Sequence, residues 1–114
     1  MANPVVHFEI SGKSGKKLTS FYKKVFGWKI KAAPGGFDYG MIAAGGKDGI
    51  PGGISGGDTK GVTFYVAVKD LEATLKAAVK AGGKIVVKPY EVPGFGISLA
   101  MFKDVEGNKI GIMK

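Results

Sequence analysis

The chain has 114 residues, 45% of them apolar, a formal net charge of +8 and no cysteine. That length and apolar content fit one compact domain, or two half-domains sharing a core, and argue against disorder. The lack of cysteine excludes disulfides, thiolate nucleophiles and zinc–cysteine sites, and no apolar run reaches the roughly 18 residues of a membrane-spanning helix.

The first residues lack the basic-then-apolar order of a signal peptide, so a cytoplasmic protein is the expectation. All 17 basic residues are lysine. Readers of nucleic acid lean on arginine for bidentate contacts, and these lysines are dispersed along the chain. A solubilising surface is therefore expected, with no specific nucleic-acid site and at most weak attraction to polyanions.

In chain order, Val5 to Ile10 is predicted to be a strand. Val6, Phe8 and Ile10 share one face of it, and His7 and Glu9 share the other with Val5. Ser14 to Phe26 is predicted to be a helix. Leu18, Phe21, Tyr22 and Val25 form its apolar stripe, and Lys16, Lys17, Lys23 and Lys24 form a face read as solvated rather than membrane-bound. Gly27 suits the helix stop. Strands are predicted over Trp28–Ala32 and Phe37–Ala43, then a glycine-rich stretch and a short strand near Gly52–Ser55. The stretch from Gly45 to Gly57 lacks the lysine–serine or lysine–threonine ending, and the following helix, of a phosphate-binding loop; a flap is expected instead.

After a join at Gly56–Lys60 the plan returns. Val62 to Val68 is a predicted strand, with Val62, Phe64, Val66 and Val68 on one face and Thr63, Tyr65 and Ala67 on the other. A helix follows over about Asp70–Ala81, with Asp70 as N-cap, Gly82 as stop and Leu71, Leu75, Ala78 and Val79 as its stripe. Lys84–Lys88, a connection over Pro89–Gly96, Ile97–Phe102, a turn at Asp104–Asn108 and Lys109–Met113 complete the chain. Each half reads strand, helix, strand, strand, strand. The fold class predicted is therefore α+β: two tandem βαβββ modules, residues 1–57 and 58–114. Their strands are expected to make a curved mixed sheet with helices on the outer face and a central trough, the default place for a ligand. The repeat sets His7 opposite Thr63.

The layout resembles the vicinal oxygen chelate superfamily, which includes glyoxalase I, bleomycin-resistance proteins and extradiol dioxygenases. Phe21-Tyr22-Lys23-Lys24-Val25-Phe26-Gly27-Trp28 is similar to that family's helix end, and Asp104-Val105-Glu106-Gly107-Asn108-Lys109-Ile110 to its C-terminal hairpin, with Val105 in place of the usual proline. The resemblance implies, for metalloenzyme members, one metal ligand from the first strand and one from the last strand of each half. Here those places hold His7, Thr63, Gly111 and the segment Gly52–Ser55. One histidine is too few for a zinc, iron or manganese site of three or four protein ligands, so no metal and no cofactor are expected.

The candidate ligand-binding residues are His7, Glu9, Thr63 and Tyr65, with Lys109 and Met113 from the final strand. His7 has two readings, a polar group lining a cavity or an acid–base group. Glu9 is either a base raised by burial or a carboxylate at the rim. Tyr65 either binds through its hydroxyl or packs. The aromatics of Tyr90 and Phe95 are read equally as a lid and as a subunit contact. The expected function is binding of a small organic molecule. The alternative is a metal-independent lyase or isomerase using His7 or Glu9. The resemblance also suggests a homodimer.

Overall fold

A computed structural model of the chain describes residues 2–114. Module one contains β1 (Val5–Gly12), α1 (Gly15–Phe26), β2 (Ile30–Ala32), β3 (Tyr39–Ile42) and β4 (Gly52–Gly56). Module two contains β5 (Gly61–Ala67), α2 (Leu71–Lys80), β6 (Lys84–Val92), β7 (Ile97–Lys103) and β8 (Lys109–Met113). The class is α+β, built from two βαβββ modules with parallel and antiparallel pairing.

The strand order is β2-β3-β4-β1 in module one and β6-β7-β8-β5 in module two. The two orders are the same once equivalent strands are matched. In each module the first and last strands pair in parallel, β1 with β4 and β5 with β8, and the other pairs are antiparallel. By spatial proximity the chain divides into residues 7–63 and residues 64–114, the second unit also taking in the residues up to Val6. One link behind that grouping is the Ala67 N–H, which donates to the Pro4 carbonyl at 2.9 Å.

Both helices begin on a side-chain cap. Ser14 Oγ accepts from the Lys17 N–H at 3.1 Å, and Asp70 Oδ1 accepts from the Ala73 N–H at 3.0 Å. Each satisfies one of the N–H groups that a first helical turn leaves without a partner. α1 ends at Gly27, whose φ of 67° lies in the left-handed region that favours glycine.

Each module has its own core. In module one, Ile10, Ile42 and Ile54 are buried, with Phe8, Leu18, Tyr22, Trp28 and Ile30 packed against them. In module two, Val68, Leu71, Leu75, Ala100 and Ile112 are buried, with Val66 and Phe102 alongside. These residues place the core on the helix side of each sheet. Alternation along the strands then turns His7, Glu9, Tyr39 and Gly53 of module one to the helix-free face. It does the same for Tyr65, Lys109, Gly111 and Met113 of module two.

Several local expectations need correction. Trp28 and Lys29 lie outside β2, and the Trp28 ring joins an aromatic cluster with Phe8, Tyr22 and Phe26, with centroids 5.6, 5.3 and 5.1 Å away. Phe37 and Asp38 precede β3 rather than starting it. Residues Pro89 to Val92, expected in a connection, belong to β6. The strand continues past the proline because β6 is the last strand in its order and its register shifts between Val87 and Tyr90. A proline is tolerated at such an edge or irregularity.

The helix stripes are only half used. Phe21 is 55% exposed and Val25 53%, although both belong to the predicted stripe of α1. Leu18 and Tyr22 do the packing. In α2, Leu71 and Leu75 are buried and Val79 is exposed. Val62, on the same face of β5 as Val66, is 73% exposed. The module-two core gathers at the other end of β5, around Val66 and Val68, where α2 follows.

Replacing Ile54 or Ile112 by alanine should lower stability by about 2–5 kcal/mol, because each leaves a cavity in a small core. Asp70→Ala should cost about 1 kcal/mol through loss of the cap. Urea denaturation of the three variants checks both.

Candidate functional site

The internal registers of the modules establish which residues are equivalent. On the first pair of strands, Glu9 lies beside Gly53 in module one, and Tyr65 lies beside Gly111 in module two. Two residues earlier, His7 corresponds to Thr63, as the repeat in the sequence predicts. On the neighbouring strand, Tyr39 lies beside Ser55, and Leu99 lies beside Met113. Tyr39 and Leu99 are therefore equivalent. Module one carries imidazole, carboxylate and phenol at places where module two carries Thr63, Tyr65 and Leu99.

Within module one, His7 Nε2 and Tyr39 Oη are 3.0 Å apart, a part-buried hydrogen bond between side chains 32 positions apart in sequence. The tautomer of His7 decides which group donates. Burial holds the imidazole below its ordinary pKa of 6.5, because desolvation disfavours the charged ring. The shift favours the neutral ring over the imidazolium.

Gly53 makes that contact possible. A Cβ added there would overlap the Tyr39 hydroxyl and ring. The phenol lies over the glycine backbone with its oxygen at His7. In module two the same gap is filled from the other neighbouring strand: a Cβ at Gly111 would overlap the ring of Tyr65, which is only 5% exposed. The modules thus fill equivalent glycine positions with tyrosine rings arriving from opposite sides.

Of the predicted residues, the structure groups His7 with Glu9 on β1 of module one. Tyr65, Lys109 and Met113 share one face of module two, on β5 and β8. Thr63 lies on β5, at the end of the first compact unit. Tyr39 is the residue that sequence reasoning missed. Its strand was expected, but nothing in the alternation of Phe37 to Ala43 says that its hydroxyl reaches β1 across β4.

No three histidine, cysteine, aspartate or glutamate side chains are grouped to hold a metal ion among the described residues. Within module one the donor set around His7 does not fit a divalent cation: its Nε2 is engaged by Tyr39, and the last-strand position holds Gly53. Module two has a separate depression of about 350 Å³, open to solvent and lined in part by Asp70, Glu72, Tyr90, Glu91 and Lys114. None of the candidate ligand-binding residues lines it.

The C-terminal hairpin motif is structural. The Asp104 carboxylate accepts from the backbone N–H groups of Glu106 and Asn108 and from the Asn108 side-chain amide, each at 2.9 Å. These bonds, led by that to the Asn108 side chain, hold the Asp104 pKa below its usual value. The glycine-rich stretch after β3 leads through β4 into β5, with no helix to complete a phosphate loop.

Comparison with known proteins agrees with this architecture. The family model of the Glyoxalase/Bleomycin resistance protein/Dioxygenase superfamily matches residues 5–112, and the chain belongs to that superfamily. It is similar to a glyoxylase-like domain-containing protein of Didymella fabae, 32% identical over 131 residues, covering 91% of each chain. Among solved structures, a superfamily member from Vibrio splendidus 12B01 aligns with a TM-score of 0.69 at 17% identity, over 98% of both chains. A methylmalonyl-CoA epimerase from Streptomyces coelicolor aligns with a TM-score of 0.69 at 12% identity, over 99% of this chain and 94% of the other. At those identities the structural likeness concerns the fold.

The lowered pKa of His7 has a definite sign in stability. The unfolded chain takes up the proton first, so the contribution is fully present above pH 6.5 and is lost as pH falls through the folded value. Urea midpoints at pH 7.5, 6.5 and 5.5 should fall more steeply for the parent protein than for a His7→Gln variant.

Proposed function

We propose that this superfamily member binds a small organic molecule on its helix-free sheet surface, around His7, Glu9 and Tyr39, without a divalent metal ion. The supporting observation is the hydrogen bond of 3.0 Å that engages His7 Nε2 with Tyr39. A metal in a site of this class polarises substrate oxygens as a Lewis acid and requires three or four protein ligands. The neighbouring positions that would supply further ligands hold glycine backed by a tyrosine ring. What remains is a neutral imidazole, a phenol and a carboxylate, suited to hydrogen bonding with a polar organic ligand.

One observation favours a second reading, a metal-independent lyase or isomerase. A neutral imidazole bonded to a phenol is a competent proton-transfer pair near neutral pH, and Glu9 lies on the same strand face. In that reading His7→Ala abolishes turnover while ligand affinity survives. Under simple binding the same substitution weakens affinity and there is no turnover to lose. A homodimer is proposed as well. Exposed Phe21, Val25 and Phe26 on α1 support it, since apolar residues clustered on a surface mark contact sites. Sedimentation at micromolar concentration should give twice the monomer mass of 11.9 kDa.

Thermal-shift screening of small aromatic, carbonyl and carboxylate compounds tests the main proposal. Hits should raise the melting temperature equally with and without EDTA, and His7→Ala should reduce the shift. Stoichiometric zinc, nickel or iron, retained through purification and required for binding, would overturn the metal-free reading.

A further inference from the structure

We propose that Tyr39 is a working member of the site and that Gly53 is its positioning residue, placed to admit the phenol to Nε2 of His7. The inference deepens the proposed binding role. Its geometry nevertheless lies wholly within module one and is tested on His7 directly, so it can fail while ligand binding stands, and the reverse.

Three observations carry it. First, Gly53 sits between two neighbours, with Glu9 beside it on β1 and Met41 beside it on β3. The atoms nearest the space over its backbone belong to neither register partner but to Tyr39, two residues from Met41. Second, the equivalent gap over Gly111 is filled by its own register partner, Tyr65. Had module one followed that arrangement, an aromatic ring would stand at position 9, where this chain has a carboxylate. Filling the gap from β3 leaves Glu9 on the face and brings a hydroxyl to His7. Third, the Leu99 equivalent of Tyr39 offers no hydroxyl. At these equivalent positions the imidazole–phenol pair belongs to module one, and it depends on a position with no side chain.

The pair has defined chemistry. With the proton on Nδ1, the phenol donates to Nε2. With the proton on Nε2, the ring donates to the phenol oxygen, whose O–H is then directed to another acceptor. In both states the pair is uncharged and keeps one further N–H or O–H donor, which suits an oxygen-bearing organic ligand. Passing from the first state to the second breaks the Nδ1–H bond and forms an Nε2–H bond, and the phenol keeps one proton throughout.

Because His7 is the only histidine, its ring nitrogens give unambiguous nitrogen-15 resonances. Tyr39→Phe should shift the Nε2 resonance, and Gly53→Ala should shift it in the same direction by displacing the ring. Gly53→Ala should also lower the melting temperature. Adding Tyr39→Ala should recover stability in the double variant without restoring the parent resonance, which keeps the test open if Gly53→Ala alone fails to fold. An Nε2 resonance unmoved by Tyr39→Phe would show that the phenol does not engage His7. A shift with Tyr39→Phe but none with folded Gly53→Ala would remove Gly53 from the role. If Gly53→Ala does not fold and the double variant does not either, the glycine serves the backbone alone and the positioning role fails.

Discussion

The parallel pairing of first and last strands governs each module. A parallel pair cannot be closed by a tight turn; it needs a long crossover. Here that crossover consists of a helix and two further strands. The helix then covers one face, and the strands extend the sheet on the far side of the closing strand. The opposite face carries no helix of its own. The same pairing sets Glu9 beside Gly53 and Tyr65 beside Gly111, so the layout of the candidate site follows from how the module closes.

Duplication gives this constraint a second use. Two copies with the same strand order can be compared position by position, and their differences separate what the fold requires from what it permits. Ile54 and Ile112 are buried at equivalent places in both, the expected result where a core needs an apolar side chain. Gly53 and Gly111 are matched too, and both are backed by tyrosine, yet the tyrosines come from different strands. That difference has no counterpart in the cores. It changes which polar groups stand there, with His7, Glu9 and Tyr39 in one module and Thr63, Tyr65 and Leu99 at the equivalent places of the other.

The chemistry follows from desolvation and geometry together. Partial burial favours the neutral form of His7, and a neutral ring is the form that accepts a hydrogen bond or a proton. Tyr39 engages Nε2 of that ring. Superfamily membership describes the scaffold, and these side chains describe what this member can do with it. Fold alone does not assign a reaction.

Local signals in the sequence established the element order, the duplication, the cap at Asp70 and the equivalence of His7 and Thr63. They are period-two and period-3.6 patterns, turn glycines and capping side chains. The same signals overextended β2 and β3 toward Trp28 and Phe37, ended β6 at the proline, and put Phe21, Val25 and Val79 on helix stripes although they lie exposed. Those errors share a cause, since periodicity gives the direction of a side chain without saying whether another element lies there. Tertiary structure alone decided the contact between Tyr39 and His7. It joins residues 32 positions apart across an intervening strand, and it exists because Gly53 leaves a space that no reading of residue types reveals.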